Sequence, residues 1–354
     1  MTNSILDFAP DGVTLRPNQI KSLLKVERTW NDYEVFVIDS PTGSGKSLIG
    51  GIIGLWQAAI GGRTAIITPN IQQQEQLQET FPDFPSLKGK ARYTCEISPQ
   101  LTCKDTFAAN GRAGYCPGCP YATNRRGCLT ADVGIYNYYS YYTLRDNQTD
   151  VLVVDEGHNL VDMVIDLNKI VFSRRDGVPG GLGPRGDFLL WIEEQLAFWQ
   201  GVDRSIYSAV ELESMDRRIK KLDNFLVTAY LYHLQVEQDA AGYDRIIAVP
   251  RSGAGMSSIP WKRDQKVIIL SATFIEKDLI KLGLAKRRWS IITTESPIPA
   301  DRRPVTYFPA FENTYANKTK DLDSNLEARI RSLISNYSDM KGIVHIPYGD
   351  QKLY

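Results

Sequence analysis

Residues 40–47 read Ser-Pro-Thr-Gly-Ser-Gly-Lys-Ser and follow the apolar run Val35-Phe36-Val37-Ile38, and far downstream Val151-Leu152-Val153-Val154 runs into Asp155-Glu156-Gly157-His158. Together these residues can bind and cleave a nucleoside triphosphate. A strand that ends in a glycine-rich turn and opens a helix aims successive backbone N–H groups, and the helix N-terminus, at a phosphate chain. Pro41, Thr42, Gly43, Ser44 and Gly45 would form that turn, Lys46 would pair the β and γ phosphates of ATP, and the Ser47 hydroxyl would ligate Mg2+. Asp155, at the carboxyl end of a second buried strand, would hold the same ion through water, and Glu156 would polarise the attacking water. The strict loop pattern opens with Gly where this chain has Ser40, so the match is to a relaxed form. Asp and Glu closing an apolar strand have no packing reason to be there, which favours chemistry over a surface turn with a stray lysine.

A second constellation is made of sulfur. Cys95, Cys103, Cys116, Cys119 and Cys128 are all the cysteines of the chain, and they fall in one short segment. Such density calls for a metal or a cluster, since disulfide frameworks belong to small secreted domains. The C-x-x-C pair Cys116 and Cys119 suits zinc and iron-sulfur alike, and spacing does not choose between them.

Positioning the phosphate-binding groups requires a buried sheet. Apolar runs recur at 35–38, 64–68, 133–136, 151–154 and 266–270 without clean alternation, as expected of parallel strands covered by helices on both faces. The fold class expected is α/β, a RecA-like P-loop NTPase parallel sheet interrupted by a cysteine-cluster insertion and a mainly helical insertion. After the Gly/Pro-rich stretch 177–186, Phe188, Trp191, Gln195 and Trp199, with Leu196 beside them, make one helical stripe, and Leu212, Met215, Ile219, Leu222 and Leu226 make another. Two packed helices account for both stripes, and the residues are assigned to core. His233 is placed in a tyrosine-rich helix and given a structural role.

Composition restricts little else. With 354 residues the chain is long enough for two domains or for one large domain with insertions. Its 41 basic and 41 acidic residues give no overall basic field, although a motor gripping a single strand needs only a basic groove. There is no apolar stretch of the roughly eighteen residues needed for a span and no secretory start. A soluble, cytoplasmic chain with no membrane partner is the expectation.

Ser271-Ala272-Thr273, after the last apolar run, completes an ordered series of phosphate loop, cysteine cluster, Asp-Glu-x-His, helical insertion and Ser-Ala-Thr. In that order the chain resembles the XPD/DinG group of superfamily 2 DNA helicases, over nearly all its length. Arg16-Pro17-Asn18-Gln19 resembles the upstream Arg-x-x-Gln element of that family, Thr68-Pro69 with Gln76 its motif Ia, and Asn137-Tyr138 its Asn-Tyr before the Asp-Glu strand. Ser296-Pro297-Ile298-Pro299 resembles its Ser-Pro-Phe-Pro, and Gly342-Ile343-Val344-His345 the opening strand of its second motor domain.

The resemblance implies an ATP-dependent helicase that translocates 5′ to 3′ on single-stranded or forked DNA, with a 4Fe-4S domain and an arch domain inserted in the first motor domain. The implied boundaries are 1–161 for the first motor domain, with 88–130 as the cluster insertion, 162–255 for the arch, 256–300 for the return to the motor and 301–354 for the start of a second RecA-like domain. It implies Cys95, Cys103, Cys116 and Cys119 as cluster ligands, with zinc as the alternative metal and Cys128 either as a packing residue under the next strand or as a ligand in place of Cys103. Arg16 and Gln19 would contact the adenine side of the nucleotide, and His158 would link the Asp-Glu box to Ser271-Ala272-Thr273. Thr68, Asn137, Arg125 and Arg126 are the expected DNA contacts, the arginines as phosphate anchors beside the cysteines, while the rings of Tyr138, Tyr139, Tyr141 and Tyr142 either stack bases or cover the sheet.

Two departures accompany the likeness. Gly157 stands where the family usually has Ala, a change expected to be harmless. The chain also ends at Tyr354, early in the second motor domain, whose arginines would be worth on the order of a thousandfold in phosphoryl transfer. The expectation is therefore a chain that binds ATP but hydrolyses it poorly alone, with a second chain supplying the rest of the motor. An ATP-gated single-strand DNA binding module, and a zinc-stabilised P-loop ATPase acting on protein or RNA, are the competing expectations.

Overall fold

The apolar runs pair side by side. In this computed structural model, which describes residues 3–110, 118–144, 148–180, 186–239, 241–253 and 261–296 together with Ala328, Arg331, Ser332 and Ser335, the first strands are β1 (Val35–Asp39), β2 (Thr64–Thr68), β3 (Ser86–Leu87), β4 (Val133–Asn137) and β5 (Val151–Val154). A separate group follows, β6 (Ile170–Phe172), β7 (Tyr232–Gln238) and β8 (Asp244–Pro250), and the last strands are β9 (Lys266–Ser271) and β10 (Trp289–Thr293). Seven strands form a parallel sheet in the order β10-β1-β9-β5-β2-β4-β3. This is a RecA-like α/β fold.

The continuous apolar runs follow from this topology. Successive strand residues point to opposite faces, so a central strand needs apolar residues at every position. Val35 and Val37 join the apolar cluster on one face, whereas Phe36 and Ile38 join the cluster on the other. Helices α1 (Pro17–Arg28), α2 (Lys46–Ala59) and α3 (Ile71–Thr80) contribute Leu23, Ile49, Ile53 and Leu77 to the second face. The first is covered by α4 (Cys103–Asn110), α5 (Pro120–Thr130), α6 (Tyr138–Thr143) and α7 (His158–Leu167), with Cys103, Tyr121, Tyr138 and Leu160 buried against the sheet.

Between α7 and β9 lies the insertion. Its helices α8 (Gly186–Gln200) and α9 (Ala209–Thr228) pack on an antiparallel sheet of order β6-β8-β7. Phe172, Phe188, Trp191, Leu222 and Phe225 share one core, with the Phe172 ring 5.1 Å from Phe188 and 5.0 Å from Phe225. Both helical stripes are therefore core, and the insertion adds to its helices three strands that helical periodicity does not reveal. His233 is a correction: it lies in β7, exposed, not in a helix. The alternation of Tyr232, Leu234 and Val236 with His233, Gln235 and Glu237 is the strand signal that the preceding helical rhythm obscures. Helix α10 (Glu276–Leu282) then buries Leu279 and Leu282 on the first face of the main sheet, and β10 is an edge strand absent from the sequence expectation.

The chain divides into two compact units, Met1–Pro297 and Ile298–Tyr354. Apart from the isolated positions named above, the expected segment 301–354 lies outside the described residues, as do Cys116 and Pro297-Ile298-Pro299. Among the described residues, no helix is long and apolar enough to cross a membrane.

Candidate functional site

The turn between β1 and α2 carries the first cluster of functional groups. Gly43 and Gly45 have φ of 77° and 79°, left-handed values that a side chain would strain. A Cβ at Gly45 would also sit 2.3 Å from Gln19 Nε2. Lys46 opens α2 with a buried side chain whose Nζ donates to Ser40 O at 3.1 Å and Pro41 O at 3.4 Å. The Ser44 hydroxyl is buried with no partner among the described residues, a group that an incoming phosphate oxygen would satisfy.

Across the sheet, β5 delivers Asp155 to the same place. Ser47 Oγ donates to Asp155 Oδ2 at 2.6 Å. Burial pushes the Asp155 carboxyl up from its ordinary range; the Ser47 hydrogen bond opposes this and the Glu156 charge adds to it. A hydroxyl beside a carboxylate is an all-oxygen donor set, which fits a hard divalent cation such as magnesium.

Arg16 and Gln19 brace the loop from α1. Gln19 Nε2 donates to Ser44 O at 3.0 Å and its Oε1 accepts the Arg16 N–H at 2.8 Å, while Arg16 Nη1 donates to Gly43 O at 2.6 Å. Their contacts here are with the loop's own carbonyls.

The turn after β5 is held unusually. Glu156 has φ of 50°, the one non-glycine among the described residues in the left-handed region. The Tyr138 hydroxyl donates to Asp155 O and, at 3.0 Å, to Glu156 O, fixing the peptides on either side of the strained residue. Gly157 N–H donates to Leu270 O at 2.8 Å, and a Cβ on Gly157 would stand 2.2 Å from Ile269 Cγ2. An Ala at this position of this chain would therefore fit only if Ile269 moved. His158 Nδ1 lies 3.2 Å from Ser271 Oγ and 3.6 Å from Glu156 Oε2, so its ring stands between the Asp-Glu box and the end of β9.

Cys103, Cys119 and Cys128 belong to the apolar cluster on the first face of the sheet. Cys95, Cys103 and Cys119 are buried, and Cys119 Sγ is 3.7 Å from Cys103 Sγ. Cys95 and Cys103 flank a small antiparallel bridge between Thr94 and Thr102. Burial pushes the Cys103 thiol up, and the neighbouring Cys119 and Cys95 add to this. Cys128 is separate: it faces the Ile135 carbonyl of β4, and burial pushes its thiol up to about 12. Among the described residues, which exclude Cys116, no group of three or more His, Cys, Asp or Glu side chains is disposed to hold a metal ion.

The expected DNA contacts divide sharply. Thr68 and Asn137 are register partners at the ends of β2 and β4. Thr68 is fully buried with its hydroxyl on Asn70 O at 3.1 Å, and Asn137 caps α6 through Tyr139 N–H at 3.1 Å while donating to Pro69 O at 3.1 Å. Tyr138 and Tyr141 are buried in the core and cover the sheet, whereas Tyr139 is 52% exposed. Arg125 and Arg126 lie on α5; Lys90 sits over the Tyr121 ring at 5.5 Å, and burial, with the Arg125 charge, lowers the pKa of its ammonium. Tyr138 as a brace of the acidic turn is a role that a run of tyrosines could not announce.

Residues 12–173 match a family model described as Type III restriction enzyme, res subunit, a span that holds Lys46, Ser47, Asp155 and Glu156. Among solved structures, the chain is similar to "Truncated XPD" at 16% identity and a TM-score of 0.41, covering 76% of this chain and 98% of that one. "Structure of S. tokodaii Xpd4" is 12% identical with a TM-score of 0.42, covering 79% of this chain and 61% of that one. A hypothetical ATP-dependent RNA helicase from Sulfolobus tokodaii is 12% identical with a TM-score of 0.36, covering 83% and 57% respectively. No curated protein matches the chain.

Proposed function

We propose that this chain is an ATP-driven motor unit of a DNA helicase that moves 5′ to 3′ on single-stranded DNA. The observation that carries the nucleotide chemistry is the 2.6 Å contact of Ser47 Oγ with Asp155 Oδ2, beside the buried Lys46. With ATP bound, Lys46 would turn from the Ser40 and Pro41 carbonyls to the phosphates, Ser47 would hold magnesium, and Asp155 would hold the same ion through water. Magnesium would neutralise charge on the phosphate oxygens. Glu156 orients the attacking water, and His158 carries the change to Ser271 through the contact already in place.

Cys95, Cys103 and Cys119, with Cys116, would hold a cluster that cross-links the insertion and fixes Lys90 and Arg125 as phosphate anchors. An iron-sulfur cluster is the reading that the family resemblance supplies. Zinc is the alternative, and the 3.7 Å between Cys103 Sγ and Cys119 Sγ, an ordinary thiol contact, does not choose between them. Iron, sulfide and zinc analysis of anaerobically purified protein decides between them.

The function is tested by ATP binding and by DNA-stimulated phosphate release of the full chain and its Lys46→Ala variant. Binding with only slow turnover by the parent, and loss of both in the variant, is expected. Binding without turnover would support the ATP-gated DNA-binding module instead, and undiminished binding by the variant would sink the nucleotide assignment.

A further inference from the structure

Ser40 occupies the position that the strict phosphate-loop pattern gives to Gly. In the structure its side chain has a use that Gly could not supply. Thr294 Oγ1 donates to Ser40 Oγ at 2.7 Å, and both residues are buried. Ser40 N–H donates to Ser271 O at 2.9 Å, and Ser40 O accepts Lys46 Nζ at 3.1 Å. Thr294 N–H donates to Asp39 O at 3.0 Å, extending the β10–β1 ladder one step beyond the strand. One residue, Ser40, thus joins the loop lysine, the end of β9 and the end of β10. β10 is the edge strand with a single neighbour, and it ends shortly before Pro297, where the first compact unit closes.

We propose that Ser40 and Thr294 are positioning residues of the nucleotide site, their buried hydroxyl pair clamping the peptide on which Lys46 rests and tying phosphate occupancy to the end of β10. The inference rests on the nucleotide-site reading above. When Lys46 leaves Ser40 O for a phosphate, that carbonyl loses a charged donor, and only its flanking anchors keep the first peptide of the loop in place. A clamp that holds the loop in its binding shape lowers the ordering cost of nucleotide binding. Linkage then requires that nucleotide binding in turn steady the clamp and the end of β10.

The test uses the full chain with a non-hydrolysable ATP analogue and magnesium, reading affinity by calorimetry and amide exchange over residues 289–296. In the parent, the analogue should slow exchange at the Thr294 amide. Thr294→Val, which keeps shape and removes the donor, should weaken binding by about three- to tenfold, the size of one hydrogen bond, and abolish the nucleotide-dependent slowing. Thr294→Ser should restore both, a rescue that loss of packing alone would not give. Should Thr294→Val fail to fold, Ser40→Gly removes the acceptor from the other side and should give the same two losses. Parent-like affinity and slowing in Thr294→Val or Ser40→Gly would overturn the clamp while leaving the nucleotide site standing. Failure of the parent to bind the analogue would overturn the nucleotide-site reading and the clamp with it.

Discussion

Ser47 Oγ and Asp155 Oδ2 meet at 2.6 Å although 108 residues separate them in the chain. β1 and β5 both flank β9, so the turn after one strand and the carboxyl end of the other reach the same edge of the sheet. The pair concentrates the energetic conflict of the site: an acid needed in ionised form for a cation is buried where ionisation is disfavoured.

That conflict gives a pH signature. The folded-state pKa of Asp155 is raised, chiefly by burial, so the native chain binds the proton more tightly than the unfolded chain does. The stability that Asp155 contributes is present when it is protonated and is lost as pH rises from the ordinary carboxylate range, near 4, through the raised value. Without magnesium, Asp155→Asn should therefore melt higher than the parent at neutral pH, with the gap closing as pH falls toward 4. The same variant should lose magnesium-dependent nucleotide binding. Melting curves across pH, with and without magnesium and ATP, check both halves.

Gly157→Ala should destabilise the fold by about 1–3 kcal/mol, the range for forcing an extra carbon into a packed interior. The clash is with Ile269 Cγ2, so the cost should shrink markedly in an Ile269→Ala background. A double-mutant cycle by denaturant unfolding reads this coupling, and strictly additive effects would refute the contact.

Tyr138→Phe removes the hydroxyl that bridges the Asp155 and Glu156 carbonyls. The left-handed Glu156 would lose one of its restraints, at a cost of about 1–3 kcal/mol for acceptors left buried. Turnover should fall more than nucleotide affinity, because Glu156 acts on water and not on binding. Equal losses in kcat/KM and affinity would instead indicate general loosening of the site.

Cys128→Ala should leave the metal content of anaerobically purified protein unchanged, whereas Cys103→Ser and Cys119→Ser should lower it. The reasoning is positional: Cys103 and Cys119 are 3.7 Å apart, while Cys128 turns toward Ile135 O on β4. Metal loss in the Cys128 variant would place the ligand set elsewhere.

Much of the fold was legible because strands buried on both faces must be apolar throughout; the runs at 35–38, 64–68 and 151–154 could be little else. β10 escaped notice because an edge strand needs no such run: Trp289, Ser290 and Ile291 are only half-buried. β7 escaped because its alternation begins directly after α9 and a short 3-10 turn, among residues whose helical rhythm was already established.

The sequence by itself determined the chemistry on offer. Lys46, Ser47, Asp155 and Glu156 are recognisable by type and by their place at strand ends, because phosphate and cation binding constrain local order along the chain. Tertiary structure decided which groups have room and which partners they take. It buried Thr68, Tyr138 and Tyr141 that the sequence offered to DNA, it set Ile269 against Gly157, and it joined Ser40 to Thr294. Burial and contact depend on which strands become neighbours, a property of the whole sheet that no local spacing encodes.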